Sequence, residues 1–210
     1  VVRPPNVEEA LVAGAKRVHR VYMSYDPVAH APVEPTQDEI QKWSAEVSFI
    51  GTWMPERGPF MARLIELGVP LTIRGNWWKN TPEWEQIKTA WEGPAIFGRE
   101  YILSLQLSKV TLGLLSKGNR DLHTQRSCEV PYIGGAAFCA ERTVEHETMY
   151  VEGEEAEFWS TPEECAEKCF QLLQDPVKRK AMVVDAKVKV VGATLSNDEV
   201  LASILEHIDG

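Results

Sequence analysis

Residues 47–75 read VSFIGTWMPERGPFMARLIELGVPLTIRG and contain one complete strand–helix–strand unit. Residues 47–50 and 71–74 are short runs rich in β-branched and aromatic side chains, which is typical of buried parallel strands. Between them, apolar side chains recur at helical spacing: Phe60, Met61, Leu64 and Ile65. Gly68 stands where a helix C-cap is needed, so residues 57–67 are predicted to form the crossover helix.

The same alternation continues along the chain. Further strands are predicted at residues 95–97, 110–115, 136–140 and, from a weaker pattern, 157–159. Short apolar runs that alternate with longer amphipathic stretches predict an α/β fold, a Rossmann-like parallel sheet with helices on both faces. Capping signals predict two late helices, one that opens at Thr161-Pro162 and one that opens at Asp175-Pro176.

The ends of the chain differ from this central pattern. Prolines crowd the first 45 residues, at positions 4, 5, 27, 32 and 35. We predict a lead-in segment over residues 1–45, with a helix at 7–13 and a strand at 17–22. A domain over residues 46–192 and a C-terminal helix within 193–210 are predicted to follow. Because the chain starts with Val1 and carries no targeting segment, we expect it to be part of a longer protein.

Composition excludes several classes of protein. With 44% hydrophobic and 25% charged residues, the chain is typical of a globular domain and unlike a disordered or collagenous one. Its 22 Lys and Arg against 31 Asp and Glu give a net charge of -9, which argues against a nucleic-acid or membrane-surface partner. No apolar run approaches the length of a transmembrane segment.

The four cysteines show no disulfide-framework spacing, which indicates a reducing compartment and a cytoplasmic location. Cys165 and Cys169 share a helical face. Since no matching histidine or second cysteine pair accompanies them, we expect buried apolar side chains rather than a metal site.

Ligands of open parallel sheets bind where strands end and loops enter helices. The loop after the first strand contains Gly51, where the backbone can approach a ligand, and Arg57, whose guanidinium can pair with phosphate. An ordinary surface arginine is the alternative. The chain lacks the G-x-G-x-x-G, Walker A and G-x-S-x-G motifs, which argues against dinucleotide oxidoreductases, P-loop enzymes and serine hydrolases.

The densest polar segment, residues 117–129, reads KGNRDLHTQRSCE. A helix start near Thr124 would present free N–H groups and a positive dipole to an anion such as a diphosphate. Glu129, one to two turns inside that helix, is placed to accept hydrogen bonds from a ribose diol, and Arg126 to reach phosphate. A helix that is merely well capped is the alternative, and His123 is more typical of a polar loop residue than of a general base.

Residues 121–141, DLHTQRSCEVPYIGGAAFCAE, also resemble a family signature. An acid, seven residues, a glutamate and a Gly-Gly before a strand are similar to the donor-binding region of spore-maturation-type glycosyltransferases, which have the GT-B fold. Residues 14–30 resemble the segment that joins the two halves of such enzymes. Residues 47–57 resemble the first strand and loop of their second half.

This resemblance implies the carboxy-terminal, donor-binding half of a two-domain enzyme. Such an enzyme transfers a sugar from a nucleotide sugar to an acceptor hydroxyl, and the spacing of Asp121 and Glu129 resembles that of retaining members. The implied partner is an amino-terminal acceptor-binding domain, without which we expect little or no turnover. The chain contains no D-x-D motif, so no metal or other cofactor is expected.

The resemblance also assigns roles to individual residues. Glu129 corresponds to the glutamate that grips the donor ribose, Asp121 to an acid near the donor sugar, and Gly98 to Tyr101 to the nucleobase site. The expected catalytic residues are Asp121, Arg126 and Arg57. The expected donor-binding residues are Gly51, Gly98, Arg99, Tyr101, Gly118, His123, Thr124 and Glu129.

Two other functions stay open. A Rossmann-like domain that has lost catalysis would use its tryptophan-rich region, residues 43–91, and its acidic surface to bind a protein partner. An enzyme that uses the same donors for epimerisation is the third possibility.

Overall fold

The computed structural model describes residues 1–209, and its centre is a six-stranded parallel sheet. The strand order is β3-β2-β1-β4-β5-β6. The strands are β1 (Ala45–Ile50), β2 (Leu71–Arg74), β3 (Trp91–Gly93), β4 (Ser108–Gly113), β5 (Ala137–Glu141) and β6 (Glu157–Trp159). The order reverses between β1 and β4, and this reversal opens a crevice at the carboxyl ends of the two strands.

Helices connect the strands and cover both faces, which confirms the predicted α/β Rossmann-like class. They are α1 (Pro4–Val12), α2 (Gln37–Trp43), α3 (Arg57–Glu66), α4 (Trp84–Ile87), α5 (Gly98–Gln106), α6 (Arg126–Ile133), α7 (Val144–Met149), α8 (Pro162–Gln174), α9 (Pro176–Gly192) and α10 (Asn197–Asp209). The hydroxyl of Thr161 accepts the Glu164 amide at the start of α8, and Asp175 caps α9. Both predicted late helices are therefore confirmed.

The sheet separates two apolar cores. Val47 and Phe49 of β1 belong to the core that α3 and α8 cover. Ile50, which points to the opposite face, belongs to the core that α5 and α6 cover. Since successive side chains of a strand alternate between faces, residues 47–50 of β1 are buried on both sides, as in a central parallel strand.

Two strand predictions are wrong. The third strand is β3, which pairs with β2 through Ile73 and Trp91, whereas residues 95–97 lie beyond the edge of the sheet and Phe97 is 79% exposed. Residues 17–22 form no strand. Among the described residues their backbone pairs with the N-terminus rather than with the sheet: the Val1 amine donates to the His19 carbonyl, and the Val21 amide donates to the Val1 carbonyl.

The lead-in segment folds back on the domain. Tyr25 forms a bridge with Ser196, and its ring stacks on Tyr132 with 4.0 Å between ring centroids. The Tyr132 hydroxyl donates to the carbonyl of Pro27 at 2.9 Å. These contacts hold residues 25–30 beside α6.

Within residues 1–209, no helix combines the length and the apolar character that a bilayer crossing needs. All four cysteines are buried and form no disulfide, so the burial predicted for Cys165 and Cys169 is confirmed.

Candidate functional site

A cleft of about 280 Å³ lies at the carboxyl edge of the sheet, between the first turns of α5 and α6. It contains four residues that the sequence singles out: Gly98, Tyr101, Arg126 and Glu129. His30 of the lead-in segment and the exposed ring of Phe97 complete its wall. The chain therefore brings groups from three separate segments to one opening.

Glu129 is the buried acid of this cleft, with 6% of its surface exposed. It lies in the first turn of α6, closer to the helix start than the sequence suggests, where the helix dipole favours a negative charge. One carboxylate oxygen accepts a hydrogen bond from the Tyr101 hydroxyl. Burial raises the pKa of Tyr101 above its usual value, so its phenol keeps the proton that it donates.

His30 faces the other oxygen of Glu129, with 3.4 Å between His30 Nε2 and Glu129 Oε1. The Asp26 amide donates to His30 Nδ1 at 2.9 Å. Because Nδ1 accepts a hydrogen bond, a neutral His30 carries its proton on Nε2, toward the carboxylate. Each oxygen of Glu129 thus meets one donor and retains a lone pair for a ligand hydroxyl.

Arg126 brings a positive charge to the same cleft. Its guanidinium carbon lies 5.8 Å from the centre of the Tyr101 ring, and its buried Nε has no hydrogen-bond acceptor within the described residues. No carboxylate of residues 1–209 forms an ion pair with it. The charge is therefore available to an anionic ligand.

Arg57 is a second arginine near the cleft that forms no ion pair with a carboxylate of the described residues. Only 7% of its surface is exposed, and its guanidinium donates to the carbonyls of Thr52, Leu114 and Leu115. Burial lowers its pKa from the ordinary arginine value, and the nearby charge of Arg126 lowers it further. Arg57 thus has carbonyls rather than carboxylates as hydrogen-bond partners, and Arg126 lies close enough to repel it. Two neighbouring cations of this kind form a site suited to an anion.

Gly51 leaves room for the ring of Phe49 and the guanidinium of Arg57. A Cβ added at Gly51 would lie 2.7 Å from the Phe49 ring and 3.4 Å from Arg57 Nη1. Packing around Arg57 therefore allows no side chain at residue 51. The Gly51 carbonyl accepts a hydrogen bond from Trp78 Nε1 at 2.8 Å.

Asp121 lies in the loop after β4, where Arg3 binds it through an Nε–Oδ1 contact of 2.6 Å. Its charge acts on Arg57, which places the two side chains in the same region. Gly118 and Thr124 belong to this loop as well. The Thr124 amide donates to Ser127 Oγ, whereas the side chain of Gln125, the residue that precedes α6, accepts no hydrogen bond from the helix amides.

Two of the predicted donor-binding residues point elsewhere. Arg99 holds Glu39 through two contacts of 2.8 and 2.9 Å, and so ties α5 to α2 on the exposed side. Both nitrogens of His123 are occupied: the Met23 amide donates to Nε2 at 2.9 Å, and Nδ1 contacts Glu145 at 2.5 Å. A buried imidazole with two protein partners has no nitrogen left for a ligand.

The sequence did not single out His30 or Phe97 as site residues. His30 lies almost 100 positions before Glu129, so local patterns carry no signal for their contact. Phe97 lies within a predicted strand, but the glycine that follows it is a loop signal in the sequence, and in the structure Gly98 has a φ of 54°.

The strand order and the crevice at the carboxyl ends of β1 and β4 define a Rossmann-like domain of the kind found in GT-B proteins. Residues 57–206 match the model of the glycosyl transferase-like family, and the chain belongs to that family. No curated protein sequence matches the chain.

Solved structures agree with this class. HepE of Anabaena, in complex with UDP-glucose, is similar with a TM-score of 0.74 and 11% identity, over 99% of this chain and 62% of that one. Sucrose-phosphate synthase of Thermosynechococcus elongatus has a TM-score of 0.71 and 11% identity, over 99% and 57%. The C-terminal domain of the group 1 glycosyl transferase LpcC of Francisella tularensis has a TM-score of 0.57 and 13% identity, over 80% and 96%. The chain thus spans less than two thirds of the first two proteins.

Proposed function

We propose that this chain is the carboxy-terminal, donor-binding half of a retaining, spore-maturation-type glycosyltransferase, and that its donor is a UDP-sugar. Family membership supports the activity. Its likeness to nearly the whole of the LpcC C-terminal domain supports the assignment to one half. The UDP-glucose complex of HepE, a protein of the same fold, supports the choice of nucleotide.

The observation that carries the proposal is the pairing of a buried acid with two unneutralised arginines at one edge of the sheet. Glu129 accepts hydrogen bonds from the ribose diol, and Arg126 binds the diphosphate beside the uncapped start of α6. Arg57 lies deeper, held by its three carbonyl contacts. The nucleobase lies against Phe97 and Gly98.

The reaction follows from this arrangement. Cleavage of the bond between sugar and diphosphate places negative charge on the leaving group, and fixed cations in a partly dry cleft stabilise that charge. The two arginines and the helix start supply this stabilisation, so we propose no metal ion. Asp121 lies near the donor sugar, and its pairing with Arg3 holds its carboxylate in place. The acceptor hydroxyl comes from a site on an amino-terminal domain, and the reaction takes place in the cytoplasm.

Calorimetric titration of the chain with UDP tests the donor site. We expect one binding site, with affinity reduced about 10–100-fold in Glu129→Ala because charged hydrogen bonds to the ribose are lost. Glu100→Ala is the matched control, since Glu100 lies on α5 and its exposed carboxylate pairs with Lys42. Absence of binding for every nucleoside diphosphate would refute the proposal and favour the protein-interaction module.

Incubation of the chain with several UDP-sugars and common acceptors tests the need for a second half. We expect at most slow hydrolysis of the donor. Efficient transfer by the chain alone would contradict the requirement for an amino-terminal domain, and epimerised sugar as the product would identify the third function instead.

A further inference from the structure

Three cysteine thiols meet inside the core between the sheet and α8. Cys165 and Cys169 lie one turn apart on α8, and Cys139 of β5 joins them, with the three Sγ atoms within 4.8 Å of one another. All three residues are fully buried. The sequence predicts the helical pair of Cys165 and Cys169, whereas the position of Cys139 beside them follows from the folding of β5 against α8.

The cluster is isolated from other polar ligands. Within residues 1–209, no fourth cysteine, histidine or carboxylate joins the group. The three cysteines belong to an apolar core that also contains Leu112 and Leu172. Hydrogen bonds that the Cys139 thiol donates to the other two sulfur atoms, together with burial, raise the pKa of Cys139 well above its ordinary value. A ligand for this place must accept three sulfur atoms and nothing else.

The number of ligands and the charge decide which ion fits. Structural zinc is almost always four-coordinate, and this cluster offers no fourth donor. Three thiolates around a monovalent ion would leave two negative charges in the core, and around a divalent ion one. Buried charge without a partner is strongly unfavourable, whereas a trivalent centre gives a neutral product.

We propose that Cys139, Cys165 and Cys169 form a three-coordinate binding site for a trivalent, thiol-seeking metalloid, with As(III) as the representative ion. Metal–thiolate bonds of about 2.3 Å place three sulfur atoms around one ion no more than roughly 4 Å apart. The Sγ atoms therefore reach bonding distance through small side-chain movements.

The binding step balances without an oxidant. Arsenous acid, As(OH)3, exchanges its three hydroxyl groups for three thiols: three As–O and three S–H bonds break, three As–S bonds form, and three water molecules leave. Arsenic stays trivalent, and no electron is transferred. The product is neutral, so the apolar core gains no charge.

The test uses sodium arsenite with the reduced chain. Native mass spectrometry is expected to show one arsenic atom bound with the loss of three hydrogens. At an arsenite concentration about 100 times the dissociation constant, the midpoint of thermal unfolding is expected to rise by roughly 5–10 °C. Cys128→Ser is the matched control, because Cys128 lies outside the cluster and its thiol donates to the Met23 carbonyl. The Cys128→Ser variant must still bind one arsenic atom and must still show the rise in unfolding midpoint.

Cys169→Ala is expected to lose the three-hydrogen adduct and the thermal shift. If that variant fails to fold, the more conservative Cys169→Ser replaces it, with the same two losses expected. An unchanged or lowered midpoint with arsenite, or a larger rise with zinc, would overturn the proposal.

Discussion

Arg126→Gln separates the contribution of this arginine to ligand binding from its contribution to folding. In the free chain, the guanidinium has no ion-pair partner among the described residues, and its buried Nε lacks an acceptor. It also repels Arg57. Its removal therefore breaks no salt bridge among the described residues: it relieves the repulsion of Arg57 and gives up the contact with the Tyr101 ring.

The expected magnitudes follow from these contacts. A charged hydrogen bond contributes about 1.5–3 kcal/mol, so the loss of one to the diphosphate weakens UDP binding roughly 10–150-fold. Uridine has no phosphate, and its affinity is expected to change by less than about 3-fold. The free energy of unfolding is expected to stay within about 0.5 kcal/mol of wild type or to rise.

Calorimetric titrations with UDP and uridine, together with urea unfolding, measure all three quantities. Arg63→Gln is the control, because Arg63 is an exposed arginine whose partners are Glu66 and Glu163. Equal losses of uridine and UDP affinity in Arg126→Gln would refute the assignment of Arg126 to the diphosphate. A large loss of stability would refute the view that its charge is unneutralised in the free chain.

Three further outcomes are expected. Gly135→Ala should lower the free energy of unfolding by about 3 kcal/mol in urea, because Gly135 has a φ of 106° and its Cβ would lie 2.0 Å from the Gln106 carbonyl oxygen. Burial lowers the pKa of His123 and His146, so below the unfolded value of about 6.5 the unfolded chain binds more protons than the folded one. Urea unfolding should therefore show stability falling from pH 7 to 5, by at most about 1.4 kcal/mol per pH unit for each histidine. Arg99→Gln should leave UDP affinity within about 2-fold of wild type in calorimetry, because Arg99 is paired with Glu39.

Each of these has a contrary result. Gly118→Ala is the stability control for Gly135, since a Cβ there meets nothing within 4 Å, and equal losses in both variants would contradict the steric argument. Stability that is constant between pH 7 and 5 would mean that the two histidines titrate normally. A large loss of UDP affinity in Arg99→Gln would restore that residue to the donor site.

Local signals account for what the sequence predicts well. The unit from β1 through α3 to β2 is specified by apolar runs and helical spacing within 30 residues. Thr161 and Asp175 start their helices through hydrogen bonds to amides two or three residues ahead. Such interactions depend on near neighbours, so they are visible in the sequence.

Misplaced elements depend on distant partners. Residues 95–97 are more apolar than β3, yet β3 has the strand partner and contains a glycine at position 93. An edge strand of three residues is held by its neighbour β2 more than by its own composition. Helix α2 is a different case, because its capping box of Thr36 and Glu39 is a local signal that the sequence contains and that the surrounding prolines obscure.

The candidate site divides in the same way. Arg126 and Glu129 share one helix turn, and their relation follows from spacing alone. Glu129 contacts Tyr101 and His30, which come from separate segments of the chain. Cys139 likewise contacts the cysteines of α8, and His123 binds the amide of Met23, 100 positions away. Only the folded chain reveals these partners.

The docking of the lead-in segment sets the order in which the site can form. The contact of Met23 with His123 spans 100 positions, and that of Arg3 with Asp121 spans 118. Closing such long loops costs more entropy than joining neighbouring strands, so these contacts form late. During refolding, we expect secondary structure to recover first and UDP binding to lag behind it.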